Sequence, residues 1–279
     1  EAGSMKSAAP AVNANGTVVY ICDALGKAFA IDAASGQKKW QFSAGDAGRG
    51  LLVNGSELLI GTQTDAFFVN IETGEQIAKV TLGCEMSDIT GFAVNSDKTL
   101  AYFGGRNGYI GAVNIKTHEA IKSLVVEKDN PNLLYEPVVA PNGSVFAGSK
   151  NGSVYNVKGD LSAVNWEYVH TGSSLANAFN YSHPCVDSEN RFYITSGQTS
   201  NTTYIFDASG NVVDSWTYES GDNNQKQMGG NNYLDGVIYS AFIGGSSKNG
   251  VFVGKYVGGE RASSWSTHGG DICGSCCVK

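Results

Sequence analysis

Thr17-Val18-Val19-Tyr20-Ile21-Cys22, then Asp23-Ala24-Leu25-Gly26, then Ala28-Phe29-Ala30-Ile31-Asp32, then Ala34-Ser35-Gly36 and Lys39-Trp40-Gln41-Phe42 is the stretch that decides the fold. It holds three β-rich runs separated by turn chemistry, and Ala9 to Val12 with Asn15-Gly16 puts a fourth run and a third turn in front of it. Asn-Gly accepts the positive φ of a tight hairpin turn at little steric cost, so the spacing predicts four antiparallel strands joined by three hairpins. The unit then repeats. Its first hairpin turn recurs as Asn54-Gly55, Ser96-Asp97, Asn142-Gly143, Glu189-Asn190 and Asp235-Gly236, at intervals of about 40 to 47 residues, the range of propeller blades. No window carries a sustained helical period with caps, which excludes a helical solenoid.

The expectation is an all-β chain forming a single closed β-propeller of six four-stranded blades, with seven as the alternative. Residues 8–268 form the propeller, 1–7 an N-terminal extension and 269–279 a cysteine-containing tail. The chain has 279 residues, 36 glycines, 16% charged and 10% aromatic residues, which suits many turns and a core distributed between sheets. A net charge of −7 without a basic stripe argues against nucleic acid, whose phosphates need clustered Lys and Arg. No apolar run is long enough to span a bilayer. The start Glu1-Ala2-Gly3-Ser4-Met5 reads as trimmed, and few Lys with abundant Asn, Ser, Thr, Tyr and Gly suggest an exported bacterial protein at the cell surface or in the periplasm, lipid-anchored in its precursor as one option.

Ala30-Ile31-Asp32-Ala33-Ala34-Ser35-Gly36-Gln37-Lys38-Lys39-Trp40 resembles the tryptophan-docking motif of quinoprotein-like (PQQ-like repeat) propellers, with Ser35 in place of Thr. The resemblance implies structural roles: Asp32 and Gly36 shape the turn between the third and fourth strands, Trp40 packs from the fourth strand onto the adjacent blade, and Ala30 belongs to the same docking motif. The motif decays along the chain. Unit two keeps Asn70, Thr73 and Gly74 but has Ala78 at the Trp position. Unit three keeps Ala112, Asn114 and Thr117 but has His118 for Gly and Lys122 for Trp. Trp166, Trp216 and Trp265 stand in the last strands of units four, five and six.

Quinoprotein dehydrogenases resembling this chain in blade design carry eight blades, a calcium and an adjacent-cysteine disulfide over the cofactor. Cys276-Cys277 is the one match, and it lies in the tail, placed by this reading far from the channel mouth. No calcium-loop spacing accompanies it, so neither a quinone nor a metal is expected, and no catalytic residue is assigned. Cys273-Gly274-Ser275-Cys276 lacks the following His of a haem site, the helix of a redox motif and two further zinc ligands. A tail disulfide and free thiols both stay open, while Cys22 and Cys185 read as small buried apolar residues. The sequons at Asn15, Asn54, Asn142 and Asn151 are all Asn-Gly turns, which turn geometry already explains. Gly104-Gly105-Arg106-Asn107-Gly108 links two strands and opens no helix, so it is no phosphate cradle.

The candidate site is the face made by loops entering the innermost strands, because loops from separate units converge there around the channel mouth. Asp46, Glu85 and Tyr135 belong to these loops, and Arg49, Asp88, Glu136, Tyr181, His183 and Lys226 are the candidate ligand contacts. Mixed carboxylate, guanidinium, ammonium and phenol groups on a rigid rim suit a glycan or a peptide. The reading is therefore a monomeric, non-enzymatic binding or interaction module. An assembly scaffold resembling the propeller lipoprotein of outer-membrane protein insertion machinery, or a glycan-cleaving or lyase propeller, is the alternative.

Overall fold

The computed structural model describes residues 9–88, 90–128, 132, 134–169, 183–196, 202–217, 226–227, 231–234, 236–243, 250–258 and 277–278. Strands are the only regular elements among them, and they form six antiparallel sheets that follow one another along the chain. Sheet 1 holds β1 (Ala11–Val12), β2 (Val18–Cys22), β3 (Lys27–Asp32) and β4 (Lys38–Ser43); sheet 2 holds β5 (Gly50–Asn54), β6 (Glu57–Gly61), β7 (Asp65–Asn70) and β8 (Gln76–Thr81). Sheet 3 comprises β9 (Ala93–Val94), β10 (Leu100–Gly104), β11 (Tyr109–Asn114) and β12 (Glu119–Val125), and sheet 4 comprises β13 (Val138–Val139), β14 (Val145–Gly148), β15 (Ser153–Val157) and β16 (Val164–Val169). Sheet 5 comprises β17 (Cys185–Val186), β18 (Phe192–Ser196), β19 (Thr202–Phe206) and β20 (Val212–Thr217). In sheet 6, β21 (Lys226–Gln227) and β22 (Asn232–Leu234) both pair with β23 (Val237–Ile243), and β24 (Gly250–Tyr256) runs along the whole of β23.

The first strands of successive sheets lie side by side, β1 with β5, β9 with β13, β13 with β17 and β17 with β22, so the sheets radiate from a common centre as propeller blades do. Second and third strands are apolar and buried along most of their length, as in Glu57–Gly61 and Ser153–Val157, because each sheet is covered by a neighbour on both faces. Fourth strands such as Gln76–Thr81 are mostly solvent-facing and polar. The core is therefore a series of layers between sheets; the largest joins sheets 2, 3 and 4 through Phe68, Phe92, Tyr102, Phe103 and Tyr155.

Each first hairpin carries a residue of positive φ: Gly16, Gly55, Lys98, Gly143, Asn190 and Gly236. In unit three that residue is Lys98, one position past Ser96-Asp97; Asp235 lies outside the described residues. The side chains of two sequon asparagines, Asn15 and Asn142, serve these turns. Thr17 donates through its N–H (3.3 Å) and Oγ1 (2.7 Å) to Asn15 Oδ1, and Ser144 donates likewise to Asn142 Oδ1.

Trp40, paired with Ala30, is buried against sheet 2, where its Nε1 donates to the Ile71 carbonyl at 2.8 Å and its ring lies on Gly74. A Cβ at Gly74 would come within 2.8–2.9 Å of the indole. Asp32 Oδ1 accepts from the Ser35 N–H and Oγ, both at 2.8 Å, and Gly36 takes φ +70°. Trp166 repeats the arrangement between sheets 4 and 5, donating to the Ala208 carbonyl at 3.0 Å and covering Gly210. Trp216 is partly buried and packs on the core formed by Cys185, Tyr193, Ile205 and Ile238, and Trp265 lies outside the described residues.

The interfaces without a Trp invert this pairing. Ala78 sits opposite Phe68 in sheet 2, and His118 of sheet 3, at φ +56°, places its ring 4.1 Å from Phe68 and its Nε2 2.9 Å from Glu57 Oε2. In sheet 3 a bulge between Ile121 and Leu124 shifts the register, so Ile121 rather than Lys122 stands opposite Ala112. Leu161, at φ +55° in the corresponding turn of sheet 4, is buried in that core. Where the fourth strand contributes a small or aliphatic residue, the neighbouring turn contributes a large one, which keeps the layer filled.

Sheet 2 carries a fifth strand. β25 (Cys277–Val278) runs parallel to β5, with Cys277 opposite Val53 and Val278 opposite Asn54. This corrects the placement far from the channel mouth for Cys277, which lies beside the inner strand β5; Cys276 lies outside the described residues. The inner edge of β5 offers unpaired backbone groups, and a strand at the centre satisfies them.

Candidate functional site

The loops entering the inner strands are held close over the sheets by small residues at the ends of second strands. At Gly104 an added Cβ would lie 2.2 Å from the Tyr135 carbonyl oxygen, so the loop from sheet 3 to sheet 4 crosses directly over it. Cys22 and Gly48 make the same close crossing between sheets 1 and 2. These two crossings fix the loops that enter β5 and β13 over that end of the sheets.

Arg49 and Asp88 meet there. Arg49 Nη1 donates to Asp88 Oδ1, and Arg106, from the glycine-rich turn after β10, donates through Nη2 to Asp88 Oδ2 at 2.5 Å. Arg49 also donates to Gln63 Oε1 at 3.0 Å, Gln63 donates to Glu85 Oε2 at 2.8 Å, and the Gln63 N–H donates to Asp46 Oδ2 at 3.2 Å. The network thus ties the loops of sheet 2 to those of sheet 3. Arg49 is buried, and burial together with the like charge of Arg106 pulls its guanidinium below the usual range, which still leaves it cationic. Asp88 and Arg106 face outward, their side chains 48% and 32% exposed.

A second pair forms between sheets 4 and 5. His183 Nδ1 stands 3.7 Å from the buried carboxylate of Glu136, whose oxygens would lie 2.8–3.1 Å from a Cβ at Gly91. Lys226 forms part of β21, its backbone paired with Ile243, and Tyr181 lies outside the described residues. Arg106 and Gln63 complete the first cluster and were not among the sequence candidates. Arg106 stood in the glycine-rich segment read only as a strand link, and its partner is 18 residues away.

Among the described residues no group of three or more His, Cys, Asp or Glu is placed to hold a metal ion. Burial pushes the Cys22 thiol up to about 12 and the Cys84 thiol to about 11, and it raises the fully enclosed Cys185 thiol well above its ordinary value. Because the thiolate is the reacting form, alkylation of folded protein at pH 8, read by peptide mass mapping, should leave Cys22 and Cys185 unmodified until denaturant is added. Modification of either at the rate of an exposed peptide thiol would contradict the burial described.

Residues 2–168 match the family model for the outer membrane protein assembly factor BamB, more than half of the chain. No curated protein matches. The crystal structure of BamB from Moraxella catarrhalis is similar with a TM-score of 0.54 at 14% identity, covering 91% of this chain and 84% of that one. Hydrazine synthase from Kuenenia stuttgartiensis is similar with a TM-score of 0.62 at 13% identity, covering 86% of this chain and 76% of that one. Identities this low speak to the fold alone.

Proposed function

This chain belongs to the family of the outer membrane protein assembly factor BamB, and on that premise we propose that it is an extracytoplasmic interaction protein that binds another protein through the face made by its strand-entering loops. The propeller is proposed to close as a ring of six blades spanning residues 8–268. The observation that carries the reading is the Arg49–Asp88–Arg106 network. It couples two neighbouring blades and leaves one carboxylate and one guanidinium exposed on a rigid support. Fixed charges of both signs complement a patterned protein surface, setting orientation and encounter rate more than raw affinity. The same geometry disfavours a sugar grasped by Arg49, since that side chain is buried and its Nη atoms are already committed to Asp88 and Gln63. Glu136 with His183, and Tyr181 and Lys226, belong to the proposed face as its second half.

Photo-crosslinking from position 106 in intact producing cells should give a discrete protein adduct. The same probe at Glu72, in an exposed turn at the opposite end, should give none, and Arg106→Glu should weaken binding of the identified partner at least tenfold. Equal adducts from both positions would place the interface elsewhere. A glycan-array ligand whose binding is lost in Arg106→Ala would replace protein by sugar as the ligand.

A further inference from the structure

A cavity of about 860 Å3 opens between the fourth strand of sheet 3 and the outer half of sheet 4, where the start of the loop from β12 to β13 supplies Val126, Glu127 and Lys128. At its base lies Glu127, just past β12 and 5% exposed. Its carboxylate accepts from Ser149 Oγ (2.9 and 3.1 Å), from the Asn132 N–H (2.8 Å), from Asn151 Nδ2 (3.4 Å) and from the Tyr155 hydroxyl (3.4 Å). All these donors are neutral. Neighbouring Lys128 lines the cavity, yet no cation pairs with Glu127 among the described residues. A buried carboxylate is ordinarily matched by a positive charge, because neutral donors offset only part of its desolvation. Glu167 adds a second carboxylate to the lining.

The rim is apolar. Val164 and Val169, at the two ends of β16, both line the cavity and are both exposed. Five residue steps of strand separate them, roughly 17 Å. That is far longer than a simple amine and close to the span of a five-residue extended peptide. β16 is also the last strand of its sheet, so among the described residues one edge of it carries no partner strand.

We infer that this cavity binds an extended peptide segment of a protein partner, with a Lys or Arg side chain directed to Glu127 and flanking apolar side chains on Val164 and Val169. The site adjoins the loop face, since Glu127 lies in the loop that enters β13, but it uses neither Arg106 nor Asp88 and its test reads a different contact.

The test is calorimetric titration of the full chain with a blocked pentapeptide, Val-Lys-Val-Thr-Val. Its counterpart with norleucine for Lys, and butylamine alone, are the controls. The lysine peptide is expected to bind at least tenfold more tightly than either. Glu127→Gln should remove that preference. Val169→Arg, at a position 55% exposed, should weaken the lysine peptide at least tenfold with an unchanged melting temperature, and it decides the matter if Glu127→Gln does not fold. Equal binding of the norleucine peptide would overturn the role of Glu127. Butylamine binding as tightly as the peptide would make this a small-cation site, and no binding by any probe would overturn the proposal.

Discussion

Asp187→Ala is expected to lower the free energy of unfolding by about 3–5 kcal/mol, the cost of breaking a buried ion pair from one side. Asp187 is fully buried at the first hairpin of sheet 5. Its Oδ1 accepts from the N–H groups of Glu189 (3.0 Å) and Arg191 (2.9 Å), and its Oδ2 from Arg191 Nε (2.6 Å) and the Tyr193 hydroxyl (2.8 Å). Arg191 Nη2 in turn donates to the Gly258 carbonyl of sheet 6 at 3.0 Å. Removing the carboxylate leaves a partly buried guanidinium and a buried phenol short of an acceptor, so the penalty exceeds the loss of one turn. Asp187→Asn keeps an acceptor for the turn but not the charge and should cost less. Tyr193→Phe combined with Asp187→Ala should be less destabilising than the sum of the two, because the orphaned hydroxyl is gone. Denaturant unfolding measures all four proteins; a loss below about 1 kcal/mol for Asp187→Ala would show that water reaches Arg191 and that the pair is not a buried one.

The hairpins explain why the fold was legible. In Asn13-Ala14-Asn15-Gly16-Thr17 and Asn95-Ser96-Asp97-Lys98-Thr99, the first side chain accepts the N–H groups of the fifth and sixth residues, and the third accepts from the fifth residue's N–H and hydroxyl. Such contacts are local, and residue type reports them directly. Asp187 occupies the place of Asn13 and Asn95, and only its Arg191 partner marks it as different. The site was less legible because its contacts join residues distant in sequence. Arg49 and Asp88 share a loop face and were readable as a pair of entering-loop charges; Arg106 arrives from a hairpin turn of another sheet edge. Glu127 carries no local signal, because its burial depends on Ser149 and Asn151 from the next sheet. Lys122 was misplaced for a different reason. Counting from His118 assumes the regular bulge of sheets 1 and 2, and in sheet 3 the bulge has moved. The parallel pairing of Cys277–Val278 with β5 has no local signature either, since two residues suffice to form it.

The inverted interfaces lead to the second large effect. Trp40→Ala should destabilise by about 3–5 kcal/mol, combining lost apolar burial with the cavity left over Gly74. Gly74→Leu should do comparable damage from the other side, since its Cβ would strike the indole and the position has φ +76°. At the sheet 2–sheet 3 interface the same space is filled by His118 against Phe68, with Ala78 opposite. Ala78→Trp alone should therefore overfill the layer, a cost of roughly 1–3 kcal/mol, and His118→Gly alone should empty it and leave Glu57 without its 2.9 Å partner. Together the two substitutions rebuild the arrangement found at Trp40 and Gly74. The double variant should be more stable than the sum of the singles by about 1–3 kcal/mol, a coupling a thermodynamic cycle measures directly. Strict additivity would mean that Trp and His118 do not compete for one volume, and the complementary filling of successive blade interfaces would then be a coincidence of residue size.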